Sequence, residues 1–168
     1  SVMSKVRDQV DRLDRMVRDL LAFSRPVQPR LQTVDLLDVA RVVAENLGRD
    51  LDQGAISLRG EGRALADPDL VHRVVLNLVQ NALSMAPGVR VEIEVAPGQL
   101  RVRDDGPGVP AEVRARVFEP FFTTRTTGTG LGLAICRSVA EAMGGTVDLE
   151  DPPRGACFVL RLLSVDLP

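Results

Sequence analysis

Lysine is nearly missing from this chain: one, Lys5, stands against twenty Arg, and there is a single His (His72), no Trp and no Tyr. With no Lys after a glycine-rich turn, a P-loop nucleotide site is excluded. Histidine-dependent metal sites and Ser-His-Asp catalysis would all have to run through His72, which leaves them little to work with. Five Phe are too few for an aromatic nucleic-acid platform, so nucleic acid is not an expected partner. Two Cys, Cys136 and Cys157, make neither a disulfide framework nor a metal cluster, and they point to a reducing, cytoplasmic setting. No signal peptide and no apolar run of about eighteen residues is present, so no membrane span is expected in this segment. The start at Ser1 without Met suggests a fragment. What remains for chemistry is Arg, Asp, Asn and Gly, in 168 residues that are 45% hydrophobic and 26% charged. That suffices for one domain with a buried core and an appendage.

Charge divides the chain unevenly. Residues 1–30 carry seven basic and four acidic side chains (net +3), and residues 31–168 carry fourteen and nineteen (net −5). Residues 2–24 read as one helix, with Val6, Leu13 and Leu20 in one heptad series, Val10 and Val17 in another, and Met16 and Phe23 beside them. Its opposite face is Arg and Asp, spaced for the pairs Asp8–Arg12, Asp11–Arg15 and Asp14–Arg18. A stripe this wide has no mate within the first thirty residues, so a helical bundle or dimer contact is expected. Downstream, Leu36–Leu47 and Asp67–Met85 read as helices, the second opened by the cap Asp67 and by Pro68. Val89–Val95 (V-R-V-E-I-E-V) and Gln99–Arg103 alternate as a hairpin around Pro97-Gly98. Ala55–Leu58, Ala64–Ala66, Thr146–Leu149 and Ala156–Leu163 complete the strands, and Gly130–Met143 the last helix. The expected architecture is a two-layer α/β sandwich, three helices on one face of a mixed sheet, preceded by one long amphipathic helix.

Three constellations carry chemistry. Asn77 and Asn81 lie about 40° apart on an otherwise apolar helix, and neutral oxygens of this kind suit a hard cation that also holds phosphates. Asp104-Asp105-Gly106-Pro107-Gly108 follows a strand; its glycines let backbone approach a flat ligand, and its carboxylate can accept from an exocyclic amine. The run from Phe118 to Leu133 sets three Phe before a Thr- and Gly-rich loop that opens a helix. Backbone N–H groups there form a cradle for phosphates, with Arg125 as the loop's cation.

In this order and spacing, Asn77–Asn81, Asp104-x-Gly106-x-Gly108, the Phe118–Arg125 run and Gly128-Thr-Gly-Leu-Gly132 resemble the nucleotide-binding boxes of sensor histidine kinases. Those kinases belong to the GHKL ATP-binding superfamily, shared with type II topoisomerases, mismatch-repair ATPases and a heat-shock chaperone. The Phe-run wording is most similar to the nitrogen-regulation type. Residues 5–26 resemble the second helix of the dimerisation and phosphoacceptor hairpin. The resemblance implies a division at residues 1–30 (second hairpin helix and linker) and 31–168 (ATP-binding catalytic domain). It implies ATP and Mg²⁺ as cofactors, with Asp104 reading the adenine amine and Gly106 and Gly108 shaping the base pocket. Asn81 would bind the metal with help from Asn77, and Thr127, Gly128, Thr129, Gly130, Leu131 and Gly132 would wrap the phosphates. Hydrolytic members carry Glu where this chain has Asn77; an amide cannot activate water, which favours phosphoryl transfer. By position, Arg73 and Arg125 are candidate cations for the transferring group. Where many relatives place a Lys after the second Asn, this chain has Ser84.

The acceptor histidine of such kinases lies in a first hairpin helix that has no counterpart here, and His72 reads as a structural bystander. The implied partners are the dimerisation helices of a homodimer and a response-regulator receiver domain. Two rivals stand beside the kinase: a GHKL-type ATPase, and a nucleotide-binding pseudokinase or interaction module.

Overall fold

Ser1 accepts from the backbone N–H of Ser4 and closes a capping box, from which helix α1 (Val2–Ser24) runs without Gly or Pro. The structure, a computed structural model, describes residues 1–49, 54–124 and 128–165. No residue of α1 is buried, and Val6, Val10, Leu13, Val17 and Leu20 all stand exposed along one stripe. Of the three ion pairs expected on its polar side, Asp14–Arg18 forms at 3.0 Å. Arg15 instead turns its Nε to the Asp11 carbonyl at 3.4 Å. The flank between the two faces is not simply solvated: Arg12, Met16, Asp19 and Ala22 are half-buried, and α1 packs on helix α4 (Gly132–Ala142).

After α1 the chain makes β1 (Gln32–Asp35), α2 (Leu36–Gly48), β2 (Ile56–Gly60), β3 (Arg63–Ala66) and α3 (Pro68–Leu83). Local chemistry sets both helix starts. The Asp35 carboxylate accepts from Leu37 and Asp38, and Asp67 accepts from Asp69 and Leu70, with Pro68 in the first turn. The other Asp67 oxygen accepts from the Arg30 backbone at 2.9 Å, tying the linker after α1 to the start of α3. The remaining strands are β4 (Val91–Ala96), β5 (Gln99–Asp104), β6 (Thr146–Glu150), β7 (Cys157–Arg161) and β8 (Leu163–Ser164).

Five strands form one mixed sheet in the order β2-β4-β5-β7-β6, with β2 parallel to β4 and the other pairs antiparallel. Helices α2, α3 and α4 cover one face. The alternation of β4 follows from this: Val91, Ile93 and Val95 point to the helices, while Glu92 and Glu94 point away and pair with Arg59. The open face continues with Arg101–Glu150 at 3.2 Å and Arg161–Asp148 at 3.1 Å. Such exposed pairs add at most about 1 kcal/mol each, so they keep the face wet rather than hold the fold. The core itself is aliphatic, with Leu36, Val71, Leu78, Ile93, Leu100 and Leu160 inaccessible to solvent.

The two-layer sandwich expected from the sequence is therefore present, with one addition. A small antiparallel sheet, β1-β3-β8, lies outside the main one. Strand β1 was not expected, because only Val34 of its four residues is buried. The strand expected over Ala156–Leu163 breaks at Leu162, and Leu163 and Ser164 leave to pair with β3.

Candidate nucleotide site

Strand β5 ends at Asp104, the one buried charged residue among the described residues, 4% exposed. Its Oδ1 accepts from the backbone N–H of Gly106 at 2.9 Å and of Ala156 at 3.3 Å. Burial pushes the carboxyl above its usual range, against the pull of those two donors. A turn from β7 closes against it from behind. Gly155 has φ +71°, and a Cβ there would overlap the Asp104 carbonyl oxygen, so only glycine fits. Neighbouring Asp105 does a different job: exposed, it accepts from the Arg90 backbone at 2.7 Å and holds the start of β4.

Helix α3 presents Asn77 and Asn81, both half-buried. On α4 the Cys136 thiol donates to the Val74 carbonyl at 3.8 Å, and complete burial pushes that thiol up to about 12, against the pull of the nearby Asn77 amide and Arg73 charge. The serine after this pair, Ser84, donates its hydroxyl to the Asn81 carbonyl at 2.8 Å.

The phenylalanine run is pinned at both ends. Phe118 meets Phe158 of β7 edge-on at 6.0 Å and lies under Arg137 at 4.2 Å. Phe122 lies under Arg116 at 4.5 Å. Between them Phe121 has φ +66° and donates its N–H to the Gly130 carbonyl at 2.8 Å. A Cβ on Gly130 would come within 2.4 Å of the Phe121 carbonyl carbon, so the glycine is what lets the two segments touch. Beyond this contact α4 begins at Gly132, and Leu131 before it offers no side-chain cap, unlike Asp35 before α2 and Asp67 before α3. The first N–H groups of α4 are left for an anion or water.

Asn77, Asn81, Asp104, Gly108, Gly128, Thr129, Gly130 and Gly132 all line one cavity of about 640 Å³. That is within the range of about 300–1,000 Å³ usual for small-ligand sites. Met85, Val109, Phe122 and Phe158 add apolar wall. Gly106 stands behind Asp104 rather than on the wall, and Leu131 is buried beneath the loop. Arg125 and Thr127 lie outside the described residues. Arg73 is not in the cavity: it lines a separate groove of about 460 Å³ between α1 and α3, with Arg18, Arg25 and Asp67. His72 is half-buried on α3 and lines neither.

Three contributors were missed at the sequence level. Gly155, between β6 and β7, was not singled out. Arg15 and Asp19 of α1 line the cavity, although they were assigned to a polar outer face. Asp19 accepts from the Thr129 hydroxyl at 2.7 Å, and Thr129 accepts in turn from the Leu131 N–H at 3.3 Å.

Comparison with known proteins matches residues 66–166 to a family described as histidine kinase-, DNA gyrase B-, and HSP90-like ATPase. The sensor histidine kinase ZraS of Klebsiella oxytoca is 38% identical over 167 residues, covering 92% of this chain and 36% of its own length. This chain thus spans about a third of that relative. Full-length ShkA, solved in complex with AMPPNP, superposes with a TM-score of 0.72 at 27% identity, over 99% of this chain and 40% of that one. Histidine kinase ThkA, solved in complex with the response regulator protein TrrA, gives a TM-score of 0.77 at 25% identity, over 98% and 51%.

Proposed function

Because the chain belongs to the family of histidine kinase-, DNA gyrase B- and HSP90-like ATPases, we propose that its cavity binds Mg-ATP for histidine phosphorylation. The γ-phosphoryl group would go to a histidine on a dimerisation hairpin, and from there to an aspartate of a response-regulator receiver domain. In this reading residues 1–30 are the second hairpin helix with its linker, and residues 31–168 are the catalytic domain. The observation that carries it is a buried carboxylate, Asp104, sharing one cavity with the uncapped, glycine-rich start of α4. A base with an exocyclic amine suits the first, and a phosphate chain suits the second.

Each residue then has a part. Both backbone donors go to Oδ1 of Asp104, so Oδ2 is the oxygen that would meet the adenine amine. Gly128, Thr129, Gly130 and Gly132 would face the phosphates with backbone N–H groups and one hydroxyl. Asn81, with Asn77, would hold Mg²⁺ through amide oxygens; the ion neutralises phosphate charge when bound. Among the described residues no group of three His, Cys, Asp or Glu could hold a metal by itself. That fits an ion that arrives with the nucleotide. In the transfer, the bond from the γ-phosphorus to its bridging oxygen breaks and one to an imidazole nitrogen forms. ADP leaves with the electron pair.

Asn77 argues against the ATPase rival, since an amide has no basic form with which to deprotonate water. Arg73 lies outside the cavity, and no catalytic part is proposed for it. The exposed stripe of α1 suits the dimerisation helices of a homodimer. No described helix is long and apolar enough to cross a membrane, and we place the catalytic segment in the cytoplasm. ShkA with AMPPNP and ThkA with TrrA support the nucleotide and the receiver-domain partner respectively. The reading is tested by titrating Mg-ATP into the chain and into Asp104→Asn. The amide would turn a donor toward a donor, and affinity should fall about a hundredfold. Unchanged affinity would sink it.

A further inference from the structure

The phosphate end of the cavity has a charge problem. A triphosphate brings several negative charges to a wall of backbone N–H groups and neutral amides. Asp19 already sits there, 2.7 Å from the Thr129 hydroxyl. Among the described lining residues Arg15 is the only cation, and it comes from α1, not from the sandwich. Arg15 and Asp19 are one helical turn apart and share a face. Arg15 makes no ion pair among the described residues; its Nε rests on the Asp11 carbonyl. Its remaining guanidinium donors are therefore uncommitted to any carboxylate among the described residues.

We propose that α1 completes the nucleotide site, with Arg15 as a phosphate-binding residue and the Asp19–Thr129 hydrogen bond as the tether that holds it over the glycine loop. This rests on the Mg-ATP reading and adds to it a residue from outside the catalytic domain. It follows that triphosphate binding and the seating of α1 on the loop are linked, each favouring the other by the same factor. A shift of α1 would then change affinity for the phosphates while leaving the adenine contact at Asp104 alone.

The test uses the full chain and three ligands: a non-hydrolysable ATP analogue with Mg²⁺, ADP with Mg²⁺, and adenosine. Arg15→Gln should weaken the analogue about tenfold or more, as expected for one charge-assisted hydrogen bond, and leave adenosine unchanged. ADP should lose less than the analogue. Arg15→Lys should recover part of the loss, which a purely structural role would not show. Equal affinity of wild type and Arg15→Gln for the analogue would overturn the proposal, and so would an equal fall for adenosine. A wild-type chain that binds neither adenosine nor the analogue would overturn the ATP reading itself, and this inference with it.

Discussion

Helix α1 and the sandwich solve the burial problem in opposite ways. The sandwich hides its aliphatic residues, Leu78 and Leu100 among them, completely. Helix α1 keeps Val10, Leu13 and Val17 more than half exposed and buries none of its residues. Yet both lend residues to the same cavity. Stability is thus held almost wholly by one region, while the site draws on both. Damage to the fold should therefore come from the sandwich, while damage to function can come from either region.

The largest effect should come from Gly155→Val. It would force a side chain into the Asp104 carbonyl at a positive φ, and strain with displaced packing should cost about 3 kcal/mol or more in urea unfolding. Next, Leu78→Ala in α3 should cost about 2–5 kcal/mol by the same measurement, since the residue is inaccessible to solvent. Asp104→Asn should do the reverse of these two: bind nucleotide poorly and keep the fold. The carboxyl is raised by burial, so the folded protein holds its proton to higher pH than the unfolded chain does. The contribution of Asp104 to wild-type stability therefore falls as pH rises from the usual carboxyl range through the raised value. The Asn variant does not titrate there, so its stability relative to wild type should climb over the same window. A variant-minus-wild-type difference flat across acid pH would contradict the burial argument. Smallest is Leu13→Ala on the open stripe of α1, expected within about 0.5 kcal/mol of wild type. A larger loss would mean that α1 is covered in solution.

What could be read from the sequence was mostly local. Asp67-Pro68 announced α3 because a cap and a first-turn proline act within a few residues, and V-R-V-E-I-E-V announced β4 because alternation needs only the strand. The Asn77, Asp104 and Gly128–Gly132 motifs were legible as motifs, and their gathering into one cavity followed the resemblance. What escaped depends on contacts distant along the chain. Strand β1 has one buried residue to betray it, and β8 is two residues whose pairing with β3 closes a second sheet. Gly155 is required by a carbonyl that belongs to β5, which nothing in P-P-R-G reveals. Arg15 and Asp19 sit where any amphipathic helix keeps its polar face, and only the packing of α1 on α4 turns them toward the cavity.

Under the proposed function, this site would transfer phosphate to histidine rather than to water. That claim is tested most directly by incubating the chain with γ-labelled Mg-ATP and a separately supplied dimerisation hairpin that carries its histidine. Acid-labile label on the hairpin, lost when that histidine is replaced by Gln, is the result predicted. Release of free phosphate with an unlabelled hairpin would contradict it and favour the ATPase, and bound nucleotide with neither product would favour the pseudokinase.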